Sequence, residues 1–372
     1  MTTIIHATDP AELLGLIPAL AGFTPRQSLV LLPFRGRRTY GAMRMDLPGD
    51  DVHPDAVAQA VLPTLLKVSG VDAVAIAVYT DDEPQPIPDG VLLPRLTLVD
   101  ALVEMAGEAG LHIVDALCVT PAGWGDYLDD DPVIRPLDSI PAPPEVPGIG
   151  DVSGDQDAGA QLPHADLTQR ERVGRALGEL DDVLERIRRG NPNVGAEDNP
   201  LALLAADAVL DDLPAFAEDL LETPDDDGVY SCAALLWCLN RPVLRDAILV
   251  QWATDEEFGC RALEAQLEYS AQQSGIPDAI GDVFLGRGVH PDPDRLECAL
   301  QVVRFAAARA PRHAKPGALT AAGWLAWALG RSSHAGRYID QALEIEPGHS
   351  MASLISTMLS AAVLPEWLLQ RG

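Results

Sequence analysis

The chain has 372 residues, a formal charge of −30 and a pI near 4.4, and that length allows two or three domains with separate cores. So acidic a surface repels phosphate backbones, which argues against nucleic acid as a direct partner. No apolar run approaches the ~20 residues of a membrane helix, so no membrane association is expected. Residues 1–155 carry 8 basic and 23 acidic side chains, which is half of the net charge, so no acidic tail accounts for the total. Lysine occurs only at Lys67 and Lys315, against 24 arginines, a bias read as the codon composition of a GC-rich genome.

The opening block runs from Asp9 to Pro33 and is marked at both ends. Asp9 caps a helix, Pro10 takes its first position, and Glu12 falls three residues after the cap. Gly22 stops that helix, and Ser28–Phe34 follows as a short apolar strand. Arg35-Gly36-Arg37-Arg38 then reads as a hairpin turn with Thr39–Asp46 returning, and a helix is predicted from Pro54 to about Val68. The run Asp72–Tyr79 is apolar without alternation, as in a strand buried on both faces. Leu93–Ala109 reads as a helix and His112–Thr120 as a strand. This order predicts an α/β domain over residues 1–127, with a mixed, mostly parallel sheet and flanking helices.

Residues 128–166 hold seven prolines and Asp129-Asp130-Asp131, so a linker or disordered loop is expected there. From residue 167 to 372 the pattern predicts an all-α domain of about nine helices packed as antiparallel hairpins. Pro214 divides the run Leu201–Glu222, and Pro242 and Pro293 each open a helix. Gly323, Gly330, Ala335, Ala342 and Pro347 have the spacing of one tetratricopeptide unit, which residues 317–349 resemble. One such hairpin forms no superhelical groove, so packing within a larger helical domain is favoured over a peptide-binding array.

Motifs for chemistry are scarce. Gly148-Ile-Gly150-Asp-Val-Ser-Gly154 has the wrong glycine spacing and no strand before it, and there is no GxxxxGK[ST]. Asp129–Asp131 and Asp225-Asp-Asp-Gly228 lack the alternating ligands of a calcium loop, and HExxH is absent, so no metal is expected and no cofactor either. Five cysteines form no CxxC pair, which suits free thiols in a reducing cytoplasm, and no secretory signal opens the chain. There is no GxSxG elbow, and Ser28 reads as a turn hydroxyl.

Three places stand above this background. Trp124, Asp126 and Tyr127 follow the last expected strand, where ligands of open α/β sheets gather. Arg44 and Asp46 share one strand face at period two and suit an ion pair or a polar site. Arg245-Asp246 lies in an apolar helix as a packing ion pair. For contacts with a protein partner or a second copy, the basic turn at Arg35, Arg37 and Arg38 is a candidate, as are Trp324 and Trp327 in the C-terminal hairpin.

These residues together resemble an uncharacterised actinobacterial family, number 4192 of the domains of unknown function. The resemblance rests on the Asp9–Val30 block, Arg44-Met-Asp46-Leu-Pro48, Val74–Tyr79, Trp124 with Tyr127, Arg245-Asp246, and Leu325-Ala-Trp327 through Ala342 to Pro347. It implies that the tryptophan segment carries an arginine, a serine and a following cysteine cluster in relatives. Here Gly123, Asp126 and Asp129–Asp131 stand at those places, so chemistry resting on them is absent or altered. The expectation is a cytoplasmic, non-catalytic interaction or scaffold protein. The rival is a small-ligand binder or enzyme with its site near Trp124, Asp126 and Tyr127.

Overall fold

A computed structural model describes residues 7–39, 41–88, 90–144, 152–190, 198–223, 228–272, 275 and 277–369. The glycine-rich stretch 148–151 and the acidic residues 225–227 lie outside them. The chain divides into two compact units, Met1–Gly159 with Leu369–Gly372, and Ala160–Leu368.

The first unit begins with α1 (Pro10–Ala21). Asp9 Oδ1 accepts from the Glu12 amide at 2.8 Å, and Glu12 reaches back to the Thr8 amide at 2.7 Å. Gly22 takes the left-handed conformation at φ +82° and returns its N–H to Pro18 O, so both expected signals work as caps. β1 (Ser28–Arg35) follows, then β2 (Arg38–Thr39), β3 (Met43–Asp46), α2 (Pro54–Leu66), β4 (Ala73–Tyr79), a small hairpin of β5 (Gln85–Ile87) and β6 (Gly90–Leu92), α3 (Leu96–Glu108), β7 (His112–Thr120) and β8 (Gly123–Asp126).

The main sheet runs β2-β1-β4-β7-β8, with β3 beside β1 on the same edge as β2. It is mixed and flanked by helices, but the expectation of a mostly parallel sheet is corrected: β4–β7 is parallel, and every other pairing in it is antiparallel. The reason is that β1 sits between β3 and β4. Because β1 is antiparallel to both, β3, β4 and β7 point the same way, yet only β4 and β7 touch. The α2 crossover therefore jumps over a strand.

β4 is buried along its whole length, as its unbroken apolar run requires. On one face of the sheet Val30, Leu32, Ala75, Ala77, Leu117 and Trp124 pack on Leu13, Leu14 and Ile17 of α1. On the other, Leu29, Leu31, Val74, Ile76 and Val78 pack on the apolar stripes of α2 and α3. The stretch read as a linker is fastened to this unit where it is described before Ala160, the point at which the second unit begins. Arg135 exchanges two backbone hydrogen bonds with Trp124, and Thr24 bonds Gly154 O and Val152 O. Gly15 of α1 admits the Pro141 carbonyl, which would stand 2.7 Å from a Cβ.

The second unit holds twelve α-helices among the described residues, more than the nine or so expected. They are α4 (Leu167–Arg188), α5 (Pro200–Asp211), α6 (Leu213–Glu222), α7 (Val229–Leu239), α8 (Pro242–Ala253), α9 (Glu256–Gln272), α10 (Asp278–Phe284), α11 (Pro293–Arg309), α12 (Lys315–Ala328), α13 (Ser332–Ile345), α14 (Ser350–Ser360) and α15 (Glu366–Leu369). Pro200, Pro214, Pro242, Pro293 and Pro316 sit in first turns, where their missing N–H costs no bond. α12 is buried from Pro316 to Ala328. Its small residues explain how: a Cβ on Gly317 would lie 2.3 Å from Leu239 O, and one on Gly323 would lie 2.7 Å from Ile339 Cδ1. No described helix is long and apolar enough to cross a membrane.

Candidate functional site

The residues singled out in the sequence do not converge. Trp124 and Asp126 lie on β8 at one edge of the sheet, while Arg44 and Asp46 lie on β3 at the other. Four strand spacings separate them, ~19 Å. Nor do the residues of and just after β8 face one way: Trp124 joins the α1 core, and Tyr127 packs with the opposite one.

Each polar group at the β8 edge already serves the fold. Trp124 is 4% exposed, and its Nε1 donates to Ser139 Oγ at 2.8 Å. Arg135 stacks on the Trp124 ring at 4.8 Å and pairs with Asp129 at 3.2 Å. Asp126 Oδ1 accepts from the Leu128 amide at 2.9 Å, and Tyr127 donates its hydroxyl to Pro94 O at 2.6 Å. Burial raises the Asp126 carboxyl and the Tyr127 phenol above their ordinary ranges. Asp115, not anticipated from sequence, stands near Asp126, and burial with the charges of Asp126 and Asp9 pushes it up to about 6.

At the other edge, Arg44 donates from Nε to Ser28 Oγ at 2.8 Å and pairs with Asp46 at 2.6 Å, the ion pair its spacing suggested. Ser28 gives its own proton to Arg26 O at 2.6 Å, so the buried hydroxyl is a tie between strand ends. Arg245 likewise pairs with Asp246, at 2.7 Å, inside the helical unit.

Among the proposed contact residues, Arg37 and Arg38 are exposed, and Arg35 donates from Nε to Ser69 O at 3.1 Å. Trp324 and Trp327 are corrected. They are 1% and 0% exposed, and their indole N–H groups donate to Phe284 O and Val363 O. The residues after α14 bring Trp367 onto Trp327, with ring centroids 6.4 Å apart, which turns both into core side chains.

An arrangement with room for another molecule lies elsewhere in the first unit. A half-open cleft of ≈ 820 Å³ sits beyond the carboxyl ends of β3 and β4, between the first turns of α2 and α3 and the β5–β6 hairpin. That size is in the range of binding pockets, and the place is where open α/β sheets bind ligands. Val57, Leu93 and Leu98 give it an apolar floor, and Pro48, Pro54, Pro84, Pro86 and Pro94 stiffen its walls. Asp50, Asp82 and Glu83 line its rim.

Arg95 organises this cleft. It heads α3 in the left-handed conformation at φ +61° and offers the helix no side-chain cap. A cation is also disfavoured at a helix N-terminus by the helix dipole. Arg95 is held there by tertiary contacts: Nε to Asp82 at 3.0 Å, Nη1 to Pro48 O at 3.2 Å, and an ion pair with Asp50. It joins the β3–α2 loop, the segment after β4, and α3. An arginine after Leu93-Pro94, where an aspartate or serine would be normal, was the available signal in the sequence.

Among the described residues no His, Cys, Asp or Glu cluster of metal-binding composition forms. Cys118, Cys232 and Cys238 are buried, which pushes their thiols up to about 11, 12 and 12, away from the nucleophilic thiolate. No similar curated protein and no similar solved structure was found. The family model described as a domain of unknown function (DUF4192) matches residues 10–268 and 282–366, most of the length, and the chain belongs to that family.

Proposed function

We propose that this is a non-catalytic protein-interaction protein of the cytoplasm, which receives a cation-bearing segment of a protein partner in the Arg95 cleft. The observation that carries the reading is the cleft's make-up, an apolar floor under a rim in which three carboxylates outnumber one arginine. Such a rim attracts a lysine or arginine side chain and repels anions. Among the described residues that line the cleft, Thr97 is the one hydroxyl. The five free cysteines support a reducing compartment. The tetratricopeptide-like spacing of α12 and α13 serves packing in this reading, since its tryptophans are enclosed.

A small cationic ligand is the second reading, favoured by the cleft volume. Cross-linking from the native host separates the two. The reagent must be carboxylate-directed, because the chain has only two lysines. Partner cross-links at Asp50, Asp82 and Glu83 that vanish in Glu83→Lys support a protein partner. Their absence there, with thermal stabilisation by small amines that Glu83→Lys abolishes, supports the second reading.

A further inference from the structure

The charges of the first unit are sorted along its strands. Asp50, Asp51, Asp55, Asp81, Asp82 and Glu83 stand at the carboxyl ends of β3 and β4, where Arg26 and Arg95 already pair with some of them. At the opposite end the β1–β2 turn carries Arg37 and Arg38, both exposed and, among the described residues, in no ion pair. Arg35 is tied to Ser69 O beside that turn, two residues past exposed Lys67. Asp72 accepts from the Gly36 amide at 2.9 Å within this turn, yet the basic side chains around it outnumber that one acid, and their complement is the acidic cleft at the far end of the same sheet.

We propose that the Arg37–Arg38 turn of one molecule docks in the Arg95 cleft of a second copy. The inference rests on the cleft being a docking site and names its occupant. The two surfaces differ and lie at opposite ends of the sheet, so the contact is heterologous and each bound copy still offers one free turn and one free cleft. A two-residue tip buries little area, which places the contact in the weak, transient class. Salt acts on it twice. Copies of −30 repel one another at low ionic strength, while at ~0.15 M the Debye length of ~8 Å screens the distant charges and leaves close pairs in place. Association therefore peaks near physiological salt and is lost by ~1 M.

Sedimentation equilibrium of the full chain at 0.15 M salt tests this. The average mass should rise with concentration for the native protein. The rise should weaken at least tenfold in Arg37→Glu/Arg38→Glu and in Asp50→Lys/Glu83→Lys, and also in Glu83→Lys alone, which leaves the Arg95 ties intact. Mixing the two double variants should restore association, because the reversed turn of one then faces the reversed cleft of the other. A native protein that stays monomeric, variants that associate like it, or a mixture that stays apart would overturn the proposal. A synthetic peptide of residues 34–39 titrated into Arg37→Glu/Arg38→Glu separates the two readings. Peptide bound by this variant while the native chain stays monomeric sinks the second-copy proposal and keeps the cleft as a docking site. No binding and no association sinks both.

Discussion

Arg95 Nε lies 3.0 Å from Asp82 Oδ2, so the head of α3 is held by the residue three places after β4. The same guanidinium reaches Pro48 O and Asp50. Replacing Arg95 with alanine removes these ties and leaves a side chain that disfavours positive φ. The expected loss is about 2 kcal/mol in urea unfolding. Arg95→Gly removes the same ties but relieves the backbone, so it should lose ~1 kcal/mol less than alanine. Equal losses in the two variants would show that the left-handed conformation carries no strain.

α12 provides a second test, because its glycines differ sharply from one on its neighbour. Gly317→Ala would place a Cβ 2.3 Å from Leu239 O, a backbone atom that cannot move aside cheaply. A loss of about 2–3 kcal/mol is expected from such overpacking. Gly336 in α13 has no atom within 4 Å of its would-be Cβ, so Gly336→Ala should stabilise by ~0.5–1 kcal/mol through helix propensity. Thermal melts of both variants check the contrast.

His334 makes stability depend on pH. Its imidazole is 9% exposed and faces Arg331, Arg304, Glu297 and Tyr338; burial first, then the two arginines, lower it to about 4. The unfolded imidazole takes its proton at 6.5 and the folded one only near 4. Stability is therefore intact above pH 6.5 and falls as the pH drops through that window, by roughly 2–3 kcal/mol. Unfolding curves at several pH values should show the slope, and His334→Gln should flatten it.

Asp115 acts with the opposite sign. Its carboxyl titrates near 6 in the fold against 3.8 unfolded, so its charged form costs stability above pH 6, and the cost fades as the pH falls to 3.8. The group is partly exposed, and after solvent screening ~1 kcal/mol remains. Asp115→Asn should thus raise the melting temperature at pH 8 and have little effect near pH 4. A gain that is the same at both values would point to packing instead of charge.

What could be read from the sequence followed the strength of local signals. The caps at Asp9 and Gly22, the doubly buried β4, and the prolines in helical first turns are written in neighbouring residues. β8 was not legible. Gly123-Trp124-Gly125-Asp126 has two glycines and no alternation, and it is a strand because β7 and Arg135 pair with it. The β5–β6 hairpin hid behind Pro86 in the same way. The parallel count failed because strand direction is local to each crossover, whereas the insertion of β1 between β3 and β4 is a long-range choice. Trp324 and Trp327 looked available because their covers, Phe284 and Trp367, each stand forty residues away along the chain. Arg95 carried a signal, but one that consists of a violated helix rule and so shows only once the helix start is known.

That insertion of β1 also sets an order of assembly. The β1–β3 hairpin closes over a short loop and is complete by Asp46, whereas β4 begins only at Ala73. A chain emerging from the ribosome thus presents the other side of Ser28–Phe34, an apolar strand with open backbone donors and acceptors, until β4 arrives to cover it. A strand interior to the finished sheet is, for a time, its most vulnerable edge.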